Sequence, residues 1–221
     1  MRKQNILLQI YRSLYDYFGS LNWWPGESPF EIMVGAILTQ NTAWSNVEKA
    51  INNLKKECLL DPWKLYYINH EKLAQLIKPS GYYNIKTQRL KNFIAFFVEE
   101  YNGSEKKMFL GDSKELRGKL LRVKGIGPET ADSILLYAGG KLYFVVDAYT
   151  KRIFFRHKLI TQSSSYHQIQ EFFIQNLDNN VELFNEFHAQ IVMLGKTICT
   201  NKNPNCSKCP IAFLTSLEHT T

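Results

Sequence analysis

Asp147 stands where the apolar stretch LYFVV gives way to the helical pattern AYTKRIFFRH, Leu142 to His157. The dipole of a helix start keeps such a carboxylate ionised. Its ordinary use there is to cap the helix, and capping is compatible with chemistry. A fixed carboxylate can stabilise positive charge that develops in a transition state, or orient and deprotonate a water. Upstream lies VKGIGPET, Val123 to Thr130. Gly125 and Gly127 are free of Cβ restriction, and Pro128 opens a helix with no N–H to satisfy. A turn of this kind offers consecutive backbone N–H groups beside a helix N-terminus, so a phosphate can be held without side-chain charge. Lys124 and Arg122 add cations, and Ile126 and Thr130 complete the segment. Spacing alone also fits an ordinary helical hairpin. A phosphate grip beside one poised carboxylate, however, is a workable arrangement for breaking a bond in the same nucleotide.

Two further groups could do chemistry. Asn22-Trp23-Trp24-Pro25 and Trp44 offer indole faces on which a base, above all a cationic one, can stack; each tryptophan taken singly reads more readily as core. Cys199, Cys206 and Cys209 cluster near the C-terminus, a metal-site pattern rather than a secreted disulfide framework. Cys58 stands apart and reads as a buried small hydrophobe.

These residues need a scaffold, and the rest of the chain supplies one. Its 221 residues, 45% hydrophobic, suffice for one large or two small domains. Twenty-seven Lys and Arg against twenty Asp and Glu leave +7, which favours a polyanionic partner. There is no secretory h-region and no long apolar run, which points to a soluble intracellular protein. Apolar residues recur at helical spacing almost throughout, predicting about ten helices and an all-α architecture. Helices are expected over Asn5–Phe18, from Ser28-Pro29 through FEIMVGAIL, and before AINNL from a capping box at Ser45 to Glu48. Others run from Asp112 to Val123, after an Asn69 cap, and over Tyr83–Tyr101, Pro128–Tyr137, Ala148–His157, Tyr166–Asn176 and Val181–Ile198.

The run V-K-G-I-G-P-E-T-A-D, then V-V-D-A-Y, with I-L-T-Q-N-T upstream and G-K-x-x-C-x6-C-x2-C at the end, resembles the helix–hairpin–helix, Gly/Pro…Asp superfamily of DNA glycosylases typified by endonuclease III. The match spans about Asn22 to Cys209. It implies a two-domain endonuclease III-like fold: a central domain over residues 23–141 with the hairpin at about 113–138, and a second domain from 1–22 plus 142–221. Double-stranded DNA would be the partner, bound by a monomer in the cytoplasm and nucleoid, with no membrane involved. Bifunctional members carry a lysine where this chain has Glu129, and a glutamate cannot form their Schiff base. The resemblance therefore implies a monofunctional enzyme that hydrolyses the N-glycosidic bond, with Asp147 as catalytic residue. Lys124, Gly125, Ile126, Gly127 and Thr130 would hold DNA, while Gln40 with Asn41 would enter the stack behind a flipped nucleotide.

W-W-P, L-T-Q-N-T, P-S-G-Y-Y-N-x-K-x-x-R-L at Pro79 to Leu90, K-G-I-G-x-E-x-A-D and V-V-D-x-Y look like the 3-methyladenine DNA glycosylase III branch, which also has Glu at the hairpin position. By its pattern Trp23, Trp24, Pro25, Trp44, Glu129 and Lys196 would surround an alkylated purine such as 3-methyladenine. The alternatives are a uracil or thymine mismatch glycosylase and a lesion-binding module without catalysis. Cys199-x6-Cys206-x2-Cys209 matches three of the four ligands of the endonuclease III [4Fe–4S] loop, and the fourth place is Thr215. A cluster completed by a nonprotein ligand or His219, zinc with His219, and no metal at all are each open.

Overall fold

A computed structural model describes residues 3–216 of the chain. Among these residues it is helices joined by turns, without a strand. The chain divides into two units, Met1–Trp24 with Leu142–Thr221, and Pro25–Lys141.

The Pro25–Lys141 unit holds α2 (Pro29–Leu38), α3 (Trp44–Lys56), α4 (Pro62–Tyr67), α5 (His70–Ile77), α6 (Tyr83–Tyr101), α7 (Glu105–Leu110), α8 (Ser113–Arg122) and α9 (Pro128–Ser133). α9 runs on into a wider π turn over Ile134–Ala138. Short polar side chains start these helices: Ser28, Asp61, Asn69, Ser104 and Asp112 each accept a backbone N–H of the first turn, the orphan donors that a helix start leaves. α3 differs from the expectation. It begins one residue before Ser45, behind an extended Ala43 and without a side-chain cap, because its phase is set by Val47, Ala50, Ile51 and Leu54 on the buried face. Cys58 lies in the turn after α3 at φ 53 and is exposed; the chain reverses there, so its thiol misses that apolar face. The core stacks Phe30 on Phe97 and Phe97 on Phe93, at ring separations of 5.8 and 6.0 Å.

The other unit combines α1 (Lys3–Phe18) with α10 (Ala148–Arg156), α11 (Tyr166–Ile174), α12 (Val181–Thr197) and α13 (Phe213–Ser216). Leu7, Ile10 and Leu14 of α1 are fully buried, and α1 packs on α12. LYFVV is an extended connection, not a strand, and its core residues Phe144, Val145 and Val146 are buried. The Phe144 carbonyl accepts from Gln170 at 2.8 Å, which spares a buried acceptor from going unpaired. The Phe144 ring lies nearly parallel to Phe173 at 3.8 Å, with Phe184 and Phe187 edge-on around it. This aromatic cluster fixes the residue that immediately follows, and two residues on stands Asp147.

Candidate active site

Asp147 caps α10. Its Oδ1 accepts from the Thr150 amide at 2.7 Å and from the Thr150 hydroxyl at 2.9 Å. Oδ2 lies 3.6 Å from His188 Nε2 on α12. The side chain is 12% exposed, His188 6%. Burial alone would push the Asp147 carboxyl up; His188, by hydrogen bonding and charge, and then the Thr150 donors outweigh it and hold the group below the usual carboxylate range. The site therefore keeps an anion nearly out of water, with one oxygen committed to the helix and the other facing His188. His188 sits in the apolar run FNEFHAQIVML and escaped the sequence reading; a histidine on a buried helix face looks like core until its partner is known. Thr150 was legible as the third residue after a capping aspartate.

Lys196, in the last turn of α12, is exposed, and its ammonium lies 5.5 Å from the Trp23 ring centroid. Partial burial lowers its proton affinity, and the charge of Asp147 works the other way. Trp23 and Trp24 meet edge-on at 5.4 Å. Asp147, His188, Lys196, Trp23 and Trp24 thus belong to one unit. Close packing helps to place Lys196: a Cβ on the adjacent Gly195 would meet Tyr149 of α10 at 2.4 Å.

The hairpin belongs to the Pro25–Lys141 unit, as do Pro25, Gln40, Asn41, Trp44 and Glu129. Its two glycines are there for different reasons. Gly125 has φ 101, and a Cβ on it would fall 2.3 Å from Cγ of Arg89, so the fold itself excludes a side chain. Gly127 has φ −94, open to any residue, and a Cβ there would meet nothing within 4 Å. Nothing inside the protein calls for glycine at 127. Lys124, Gly127 and Glu129 are exposed, and Ile126 is buried beneath the turn. Arg117 of α8 grips the fully buried Asp132 of α9 through Nε at 2.6 Å and Nη2 at 3.0 Å, clamping the two hairpin helices together. Gln40 does not project freely: its Nε2 donates to the Gly125 carbonyl at 3.1 Å and to Thr130 Oγ1 at 2.9 Å, and its Oε1 accepts from Arg89. Asn41 follows it, exposed at φ 55. Trp44, half-buried, opens α3.

The sequence matches the profile of the HhH-GPD superfamily base excision DNA repair proteins over residues 34–178. The chain belongs to that superfamily. As a member it is a DNA glycosylase of base excision repair. It is 49% identical over 210 residues, 95% of each chain, to a Methanocaldococcus jannaschii protein named as a candidate DNA repair glycosylase. Among solved structures it resembles H. pylori 3-methyladenine DNA glycosylase bound to 1,N6-ethenoadenine, with a TM-score of 0.75, 30% identity, and 89% and 98% of the two chains covered. An endonuclease III–DNA complex matches at a TM-score of 0.81 and 20% identity over 97% and 95% of the chains, which establishes the endonuclease III-like fold. No described helix is long and apolar enough to cross a membrane.

The three clustered cysteines raise the question of a metal. Cys199 is buried, Cys206 exposed and Cys209 half-buried. Among the described residues no three His, Cys, Asp or Glu side chains come together to hold a metal. Cys199 Sγ instead accepts from Arg156 Nη1 at 3.3 Å. The fourth-ligand place, Thr215, falls on α13, and His219 lies outside the described residues. The three described cysteines are one short of the four ligands such a loop supplies, and no step of the reaction is routed through a cluster.

Proposed function

We propose that this glycosylase is monofunctional and releases alkylated purines such as 3-methyladenine by attack of water. The observation that carries the reading is the setting of Asp147, a nearly buried carboxylate fixed by Thr150 and beside His188, with no lysine at the hairpin position taken by Glu129. As the base departs, positive charge builds on the sugar, and a preorganised anion stabilises it without reorganisation. Oδ2 is the oxygen available to orient the water. A purine that already carries a positive charge is a good leaving group, so one carboxylate suffices. The 30% identity to the H. pylori 3-methyladenine glycosylase supports that substrate class. For DNA contact, the open space over Gly127 supports a grip in which a phosphate approaches the hairpin backbone, with Lys124 beside it.

The test is a panel of duplexes carrying methylated purines, uracil or T·G mismatches, scored for abasic sites. Methylated purine should be released at least about tenfold faster than the pyrimidines, the selectivity that 1.4 kcal/mol confers. Release of uracil or thymine alone would assign the enzyme to mismatch repair instead. Borohydride should trap no covalent DNA complex, and a trapped band would overturn the water mechanism.

A further inference from the structure

Three side chains reach the hairpin turn from outside it. Asn92 of α6 donates to the Lys124 carbonyl at 2.9 Å. Gln40, just beyond α2, donates to the Gly125 carbonyl and to Thr130. Arg89 of α6 donates to Gln40 Oε1, and its aliphatic stem lies against Gly125 where a Cβ would otherwise be. Each bond has a fixed sense. Gly125 O can only accept, so Gln40 must turn its NH2 toward it; Arg89 can only donate, so it takes the amide oxygen and holds the Gln40 amide in that orientation. The Val123 carbonyl, bonded by the Ile126 amide at 3.0 Å, closes the turn itself. In a planar peptide the carbonyl and the following N–H point opposite ways. With its carbonyl drawn in to Asn92, the Lys124–Gly125 peptide turns its N–H outward.

We infer that Arg89 is a positioning residue for the hairpin's phosphate grip, acting through the Gln40 amide and through its own stem beneath Gly125. It touches no reacting atom. Its work is to hold two carbonyl-bearing peptides so that the backbone meets DNA already oriented, and it does so together with Asn92. Gln40 in this arrangement is a brace on the hairpin before it can be anything to the DNA stack. The inference rests on the grip reading given above.

The test uses the full chain and an undamaged duplex over a salt series, with single-turnover base release at saturating enzyme in parallel. Arg89→Met keeps the stem and removes the donor. It should weaken duplex binding about fivefold, the scale of one lost hydrogen bond, lower the single-turnover rate by no more than that factor, and leave the slope of log affinity against log salt unchanged. Arg89→Lys, which restores a donor, should recover part of the loss. Wild-type affinity in Arg89→Met would overturn the inference. So would a salt slope reduced by about 0.9, which marks a direct phosphate contact. Should Arg89→Met not fold, Gln40→Glu asks the same question, because it still pairs with Arg89 but cannot donate to Gly125 or Thr130; it should also weaken binding. Gly127→Val is the control for the grip itself. If it binds DNA like wild type, the grip reading fails; if it loses binding while Arg89→Met does not, only the role of Arg89 fails.

Discussion

At the scale of single residues, the carboxylate and its two neighbours decide what can be measured. Asp147→Asn keeps an acceptor for Thr150 and so should leave α10 capped, while removing the charge. Base release should fall by about three orders of magnitude, with lesion binding retained in a shift assay; equal loss of both would make Asp147 structural. The pH dependence follows from its lowered proton affinity. A depressed folded value means that the stability it contributes is present above the unfolded value of about 3.9 and is lost only as pH falls through the folded one. In the water mechanism proposed above the anion is also the active form. The acid limb of the rate profile should therefore lie below that of an ordinary aspartate, and His188→Gln should move it to higher pH. The sequence disclosed Asp147 and the hairpin glycines because their roles are local: a cap is read from four consecutive residues. It showed Arg89 only as part of the motif ending in R-L, with no role, and did not disclose His188 or Asn92; the partners of these three lie 49, 41 and 32 positions away.

Helices and turns place these residues, and the clearest element-level device is Lys86. It is 1% exposed inside α6, and its amine donates to the carbonyls of Leu38, which ends α2, and of Ser80. It thereby ties the loop carrying Gln40 to the start of α6. Burial, helped by the nearby charge of Arg89, lowers its pKa from 10.5 to about 8. The unfolded chain then binds the extra proton between those values, so stability rises with pH across that window, and the full penalty, of order 3 kcal/mol, stands below about pH 8. Urea denaturation at pH 7.5, 9 and 10 should show this rise in the wild type and not in Lys86→Met. The elements themselves were largely legible, since apolar periodicity and capping residues point the same way over most helices. α4 and α7 were missed because six residues make too little of a period. The box at Ser45 misled because it fits a local pattern that the buried face of α3 overrides.

For the whole molecule, the chain leaves one unit after Trp24, builds the other through Lys141, and returns. The unit with Asp147 thus depends on distant segments packing together, and its C-terminal loop is tied down by two arginines of α10. Arg152 donates to the carbonyls of Gly195 and Cys199, and Arg156 to those of Thr200 and Asn201, while Ile211 and Leu214 are buried beyond them. Replacing Cys206 and Cys209 by Ser should lower the thermal midpoint by no more than a few degrees and preserve base release; Arg156→Gln should cost more, since it removes the bonds that hold Thr200 and Asn201 to α10. Iron and zinc analysis of fresh protein completes the measurement, and stoichiometric iron would mean that a ligand beyond the described residues completes the set.

The vacant space over Gly127 also has a practical side. A cysteine there has an ordinary backbone to sit on and no neighbour to displace. Once the exposed Cys58 and Cys206 are replaced, a bulky thiol joined to that cysteine as a mixed disulfide becomes a reversible block on duplex arrival, released by reduction, acting from the one glycine the fold leaves unclaimed among the two in the hairpin.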